Sequence, residues 1–119
     1  MAGGVVINNG YVYYVGGCRI VSGAQICTNG SASRTADTIY YAQIANDGTL
    51  RRPDVCTGAS KQYAGSWCVD NNNTINGSVG LAGFGHTVFN NRIYAIGGTN
   101  GKDWQTKVYY TQLAADGSL

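Results

Sequence analysis

Apolar and aromatic side chains crowd residues 5–15 except at an Asn-Asn-Gly break, and the same texture returns at residues 86–96 around a second Asn-Asn pair. In Tyr11-Val12-Tyr13-Tyr14-Val15 and Ile93-Tyr94-Ala95-Ile96 both alternating faces are apolar or aromatic, whereas a strand with one wet face would alternate apolar with polar. The pattern predicts short strands covered on both sides. Asn and Gly accept the positive φ that a two-residue hairpin demands, so Asn8-Asn9-Gly10 and Asn90-Asn91 predict a tight turn within each stretch. Each second strand ends in a double glycine, Gly16-Gly17 or Gly97-Gly98, where the backbone can bend or be closely approached. A connector then leads to a third strand with a Tyr-Tyr pair, Tyr40-Tyr41 or Tyr109-Tyr110, closed by an Asp-Gly turn.

These are two copies of one unit. Residues 5–17 align without gaps on residues 86–98 at an offset of 81, and residues 38–50 align on residues 107–119 at an offset of 69 with seven of thirteen positions identical. The difference of 12 between the offsets is the difference between a connector of twenty residues, 18–37, and one of eight, 99–106. The expected organisation is a first repeat at residues 1–80 with long loops and a second, truncated repeat at 81–119. A fourth strand should follow the Asp-Gly turn of the first repeat, near residues 51–56 or near 63–69. The second repeat stops at Leu119, before any such strand.

Composition agrees with an all-β reading. The chain of 119 residues has eighteen glycines, nine tyrosines and six acidic residues, all of them aspartate, so the helix-favouring glutamate is absent. The eight basic residues are scattered with one adjacent pair, Arg51-Arg52, which argues against a nucleic-acid surface. No apolar run approaches the roughly 20 residues that span a bilayer, so no membrane insertion is expected. Residues 1–4 carry no basic leader, and the expectation is a trimmed mature segment or an added start methionine.

Strands ending in Gly-Gly, a following Tyr-bearing strand, the Gly85-His86-Thr87 opening and the Asp-Gly-Thr/Ser-Leu close together resemble the kelch-like repeats of bacterial surface proteins. The resemblance covers about three quarters of the chain. It implies antiparallel β-propeller blades of roughly 50 residues, with closed propellers of roughly four to eight blades, the second blade here lacking its outer strand. Two blades cannot close, so the resemblance implies as partners either other copies of the chain or further blades of a longer one. A tryptophan commonly follows the Asp-Gly turn of such repeats, and Arg51, Arg52 and Pro53 stand there instead.

All four cysteines lie in connectors. The expected pairs are Cys18 with Cys27 and Cys56 with Cys68, each stapling one glycine-rich loop, which implies an oxidising, extracellular or cell-surface setting. Zinc binding is disfavoured, since spacings of nine and twelve lack the short paired steps of zinc sites, and no metal or cofactor is expected. Candidate ligand-binding residues are the loop aromatics and their polar neighbours: Tyr63, Trp67 and Asp70 in one segment, Asn100, Asp103 and Trp104 in the other. Against this stand structural roles, with Trp67 packed on the disulfide and Trp104 capping a blade edge.

His86, the single histidine, is expected to serve packing or hydrogen bonding. No nucleophile motif accompanies it, and a carboxylate pair would have to come from scattered aspartates. Asp47-Gly48-Thr49 and Asp116-Gly117-Ser118 lack the flanking Ser and Trp of an Asp-box and read as turns. The function expected is a non-catalytic binding or adhesion module that meets a glycan or protein through its loops. The alternatives are a self-assembling building block, as ring or fibre, and a fragment of a propeller enzyme.

Overall fold

The computed structural model describes residues 3–19, 35–58, 61–72 and 80–119. It contains two antiparallel sheets and, among the described residues, no helix. The first sheet is built from β1 (Gly4–Asn8), β2 (Tyr11–Val15), β3 (Ile39–Ile44), β4 (Leu50–Arg51), β5 (Lys61–Ala64) and β6 (Trp67–Asp70). Its spatial order is β1-β2-β3-β6-β5, with β4 also on β3. The second sheet is the three-stranded meander β7 (Gly85–Phe89), β8 (Arg92–Ile96) and β9 (Val108–Gln112).

The two hairpins form where the asparagines predict them. Asn9 and Gly10 have φ of 48° and 78°, and Asn90 and Asn91 have 50° and 56°, the left-handed pair that matches the twist of the flanking strands. Duplication extends to the hydrogen bonds. Ala36 N–H donates to Gly17 O at 2.7 Å, as Gln105 N–H does to Gly98 O at 2.7 Å. Ile44 N–H donates to Gly10 O at 2.7 Å, and Leu113 N–H to Asn91 O at 2.8 Å. At the Asp-Gly turns, the N–H and hydroxyl of Thr49 both donate to Asp47 Oδ1, and those of Ser118 to Asp116 Oδ1. These bonds, the Thr49 and Ser118 hydroxyls first, hold both exposed carboxyls below the usual aspartate range.

The outer strand of the first repeat is shared between the two segments that the sequence offered for it. β4 pairs the C-terminal end of β3 (Gln43 with Arg51, Ile44 with Leu50), while β6 pairs the N-terminal end (Ile39 with Asp70, Tyr40 with Val69, Tyr41 with Cys68). The chain between them turns back at Pro53, fully buried, and is tied by the Cys56–Cys68 disulfide, with Cα atoms 5.6 Å apart. The Cys18–Cys27 pairing falls outside the described residues.

The core lies between the sheets. Val6, Tyr13, Tyr41 and Cys68 form one row across the first sheet. Tyr13 and Tyr41 are fully buried and stacked at 6.0 Å. Each phenol keeps its polar end satisfied, Tyr13 donating to Gly117 O of the second repeat at 2.9 Å and Tyr41 to Val55 O at 2.9 Å. Burial pushes the Tyr41 hydroxyl up to about 12 and that of Tyr13 higher still. The second sheet contributes Ile93, Ala95 and Leu113, all buried.

The inner strands also meet. A Cβ on Gly4 would come within 2.9 Å of His86 Cγ and 3.0 Å of Phe84 Cε2, and the Asn8 and Asn9 amides both donate to Asn91 Oδ1. His86 itself is exposed, edge-on to Phe84 at 6.1 Å, so its role is packing at the seam between sheets.

The two-sided burial that the strand pattern predicts holds in part: on the outer face of the first sheet Ala42 and Val69 are buried and Val12, Tyr14, Tyr40 and Ile44 half-buried, while the edge strand β1 on that face and the outer face of the second sheet are open. Val5 and Ile7 are 52% and 61% exposed, and Phe89, Val108 and Tyr110 are 73%, 55% and 69% exposed. The reason is geometric: two stacked sheets cover each other on one side, and the outer side of each is shielded only by its own neighbouring side chains.

Candidate functional site

The connectors β2–β3, β6–β7 and β8–β9 emerge at one end of the sheets, the end marked by Val15, Ile39 and Asp70 in the first and by Ile96 and Val108 in the second. Thr35 Oγ1 donates to Asn100 O at 3.1 Å and so ties the connector of one repeat to that of the other. Thr38 Oγ1 donates to Asn71 Oδ1 at 2.9 Å and fastens the third connector beside them.

The β8–β9 connector is held by its own hydrogen bonds. Asn100 organises it: its Oδ1 accepts from Lys102 N–H at 3.0 Å and Asp103 N–H at 2.7 Å, and its own N–H donates to Asp103 O at 3.2 Å. This is the Asx turn for which asparagine is suited. Thr99, buried, closes the loop from below by donating to Asp103 O and accepting from Gly101 N–H. Thr99 pairs with Trp104 across the loop, and the Trp104 indole stands 78% exposed, with exposed Lys102 and Asp103 beside it in the chain.

The six candidates divide into two groups. Asn100, Asp103 and Trp104 share the loop just described. Tyr63 and Trp67 belong to the β5–β6 hairpin on the outer edge of the first sheet, where β5 pairs only with β6 in the strand order. Tyr63 donates to Pro53 O at 2.7 Å while the Arg52 guanidinium lies 5.0 Å over its ring, and Arg52 Nε donates to Gly65 O. Its ring is thereby engaged in holding the hairpin to the segment after β4. Trp67 is half-buried beside Cys68.

Asp70 sits at the connector end but is fully buried. Its Oδ2 lies 3.2 Å from Lys61 Nζ, whose side chain is 10% exposed, and its Oδ1 accepts from Asn72 N–H at 2.9 Å. A buried carboxylate with a paired ammonium and a backbone donor is a structural anchor for the connector. The sequence shows both residues but not that β5 and β6 set them opposite each other. Among the described residues, no three His, Cys or Asp side chains gather where they could hold a metal ion.

Sequence reasoning also left out the outer sheet faces, although their signal, apolar residues on both sides of each strand, was plain. No curated protein and no solved structure matches the chain. Residues 80–110 match the family model for the kelch motif, a stretch that takes in β7, β8, the Asn100 loop and the start of β9. The match supports kelch-like repeats, and the first sheet carries the same hydrogen-bond scheme as the matched stretch.

Proposed function

We propose that this protein is a non-catalytic, extracellular binding module of the propeller type, and that it meets a glycan or protein ligand at the connector end of its sheets. The observation that carries the reading is Trp104, a large exposed indole on a loop pre-organised by Asn100 and Thr99. A tryptophan carried on a loop whose backbone is already fixed has only its own side-chain torsions to order when it stacks on a sugar ring or fills a protein pocket. Asp103 and Lys102 supply polar partners beside it. The Cys56–Cys68 disulfide supports an oxidising compartment.

The test is binding of the folded, non-reduced chain to a glycan array and to a panel of surface proteins, repeated with Trp104→Ala. Loss of a specific signal by about tenfold or more in the variant, with unchanged thermal unfolding, supports the reading. A ligand bound equally well by Trp104→Ala would remove the loop from consideration.

A further inference from the structure

The internal duplication makes the two outer faces of this molecule comparable with the two faces that pack together inside it. Inside the chain, one side of the first sheet (Val6, Tyr13, Val15, Ile39, Tyr41) packs on the opposite side of the second sheet (Val88, Ile93, Ala95, Tyr109, Leu113). The offsets carry the first set onto Thr87, Tyr94, Ile96, Val108 and Tyr110, the outer side of the second sheet and exposed there except for half-buried Tyr94. They carry the second set onto Ile7, Val12, Tyr14, Tyr40 and Ile44, on the outer side of the first, where Ile7 is exposed and the other four half-buried. The correspondence includes geometry: Tyr94 and Tyr110 pair at 6.1 Å, as Tyr13 and Tyr41 do at 6.0 Å. Yet Tyr41 is fully buried and Tyr110 is 69% exposed.

One departure from the internal interface adds charge complementarity. Tyr11 lies against Gly117, next to Asp116, and its counterpart in the second repeat is Arg92. The counterpart of Asp116 is Asp47, exposed on its turn. Stacking a second molecule as the two repeats stack would set the Arg92 guanidinium of one beside the Asp47 carboxylate of the next.

We infer that the exposed face of the second sheet docks on the outer face of the first sheet of another copy of this chain, head to tail. Each copy supplies both halves of the contact, so the assembly is heterologous and either closes into a ring or continues as a filament. Further contacts follow from the same equivalence: the Tyr94 hydroxyl donates to Gly48 O of the neighbour, as Tyr13 does to Gly117 O.

The experiment is the solution mass of the purified, non-reduced chain by light scattering over a wide concentration range, with Tyr110→Lys and Ile7→Lys as face variants. Both residues are exposed, so the single chains keep their fold, checked by circular dichroism. The expected result is a discrete assembly of roughly two to four copies, the number that would make up roughly four to eight blades, with association weakened by about tenfold or more in either variant. A concentration-dependent ladder of masses would equally support the contact, as a filament. Mixing the two variants should give a capped dimer, since the Ile7→Lys chain retains the second-sheet face and the Tyr110→Lys chain the first-sheet face. A chain monomeric at every concentration overturns the proposal. So does self-association of Ile7→Lys at wild-type strength, which would mean like faces pair, and so does the absence of a mixed dimer.

Discussion

Gly48 and Gly117 occupy the same place in the two repeats, with φ of 84° and 81°, and differ in what surrounds them. Nothing lies within 4 Å of a Cβ built on Gly48, whereas one on Gly117 would run into the Tyr11 ring. Alanine at either site carries the same left-handed backbone strain, about 1–2 kcal/mol. At Gly117 the new methyl must also displace a buried ring, an overpacking cost of about 1–3 kcal/mol. Movement of that turn would further strain the Tyr13 hydrogen bond to Gly117 O, worth about 1 kcal/mol.

Gly48→Ala should therefore lose about 1–2 kcal/mol and Gly117→Ala about 3–6 kcal/mol, the difference measuring the packing of one repeat on the other. Urea unfolding followed by tryptophan fluorescence reads both, at a concentration where the chain is monomeric so that Gly48 faces water. Equal losses in the two variants would refute the reasoning, because the sheets would then not be held together in solution as they are here.

Three further outcomes are expected. Replacing Cys56 and Cys68 together by alanine opens a loop of sequence separation 12 and should cost about 3 kcal/mol, read as a lower urea midpoint that reductant no longer shifts. Asp70→Ala strands the Lys61 ammonium and should cost about 3–5 kcal/mol, most of it recovered when Lys61→Met is added; no recovery would mean that Lys61 is not the partner that matters. The Tyr13 and Tyr41 hydroxyls are raised by burial, so the folded state favours their protonated forms. Their contribution is complete below pH about 10, where phenols of the unfolded chain ionise, and falls as pH climbs toward about 12. Phenolate absorbance should show late-ionising tyrosines whose titration coincides with loss of circular dichroism, and ionisation of every tyrosine without unfolding would contradict this.

What was legible in the sequence is what local backbone chemistry dictates. Asn9-Gly10 and Asn90-Asn91 set the hairpins because few other residues accept two successive positive φ values. The Asp-Gly turns were legible because Gly48 and Gly117 accept the single positive φ there and the aspartate carboxylates cap the turn. The outer strand of the first repeat was not, because β3 divides its edge between Leu50–Arg51 and Trp67–Asp70, and neither segment signals alone which end it takes. The Lys61–Asp70 pair was hidden because its partners meet only through the β5–β6 register. At the connector end, Asn100, Asp103 and Trp104 were found from residue type, while the Thr35 bond that joins the two repeats there depends on the stacking of the sheets.

The two proposals concern different surfaces, a strand end and the sheet faces, and this makes them independent. Trp104 projects from a strand end, while Tyr110 and Ile7 lie on sheet faces, so a partner on one need not displace a partner on the other. The sheet faces carry the sharper physical constraint. A solvated face gains nothing from Tyr94, Ile96, Val108 and Tyr110 standing together, whereas the matching positions Tyr13, Val15, Ile39 and Tyr41 are all buried once a neighbour is present. The faces differ at Thr87 for Val6, at Tyr14 for Ala95 and at Arg92 for Tyr11, and the last change adds a charge whose complement, Asp47, stands at the corresponding place in the first repeat. If copies stack in this way, every connector end in the assembly points in the same direction, and one Trp104 per chain becomes a ring or row of them. Weak single contacts with a repetitive surface would then add through effective concentration, so Tyr110→Lys should leave binding to an isolated ligand unchanged while weakening binding to a dense array of it.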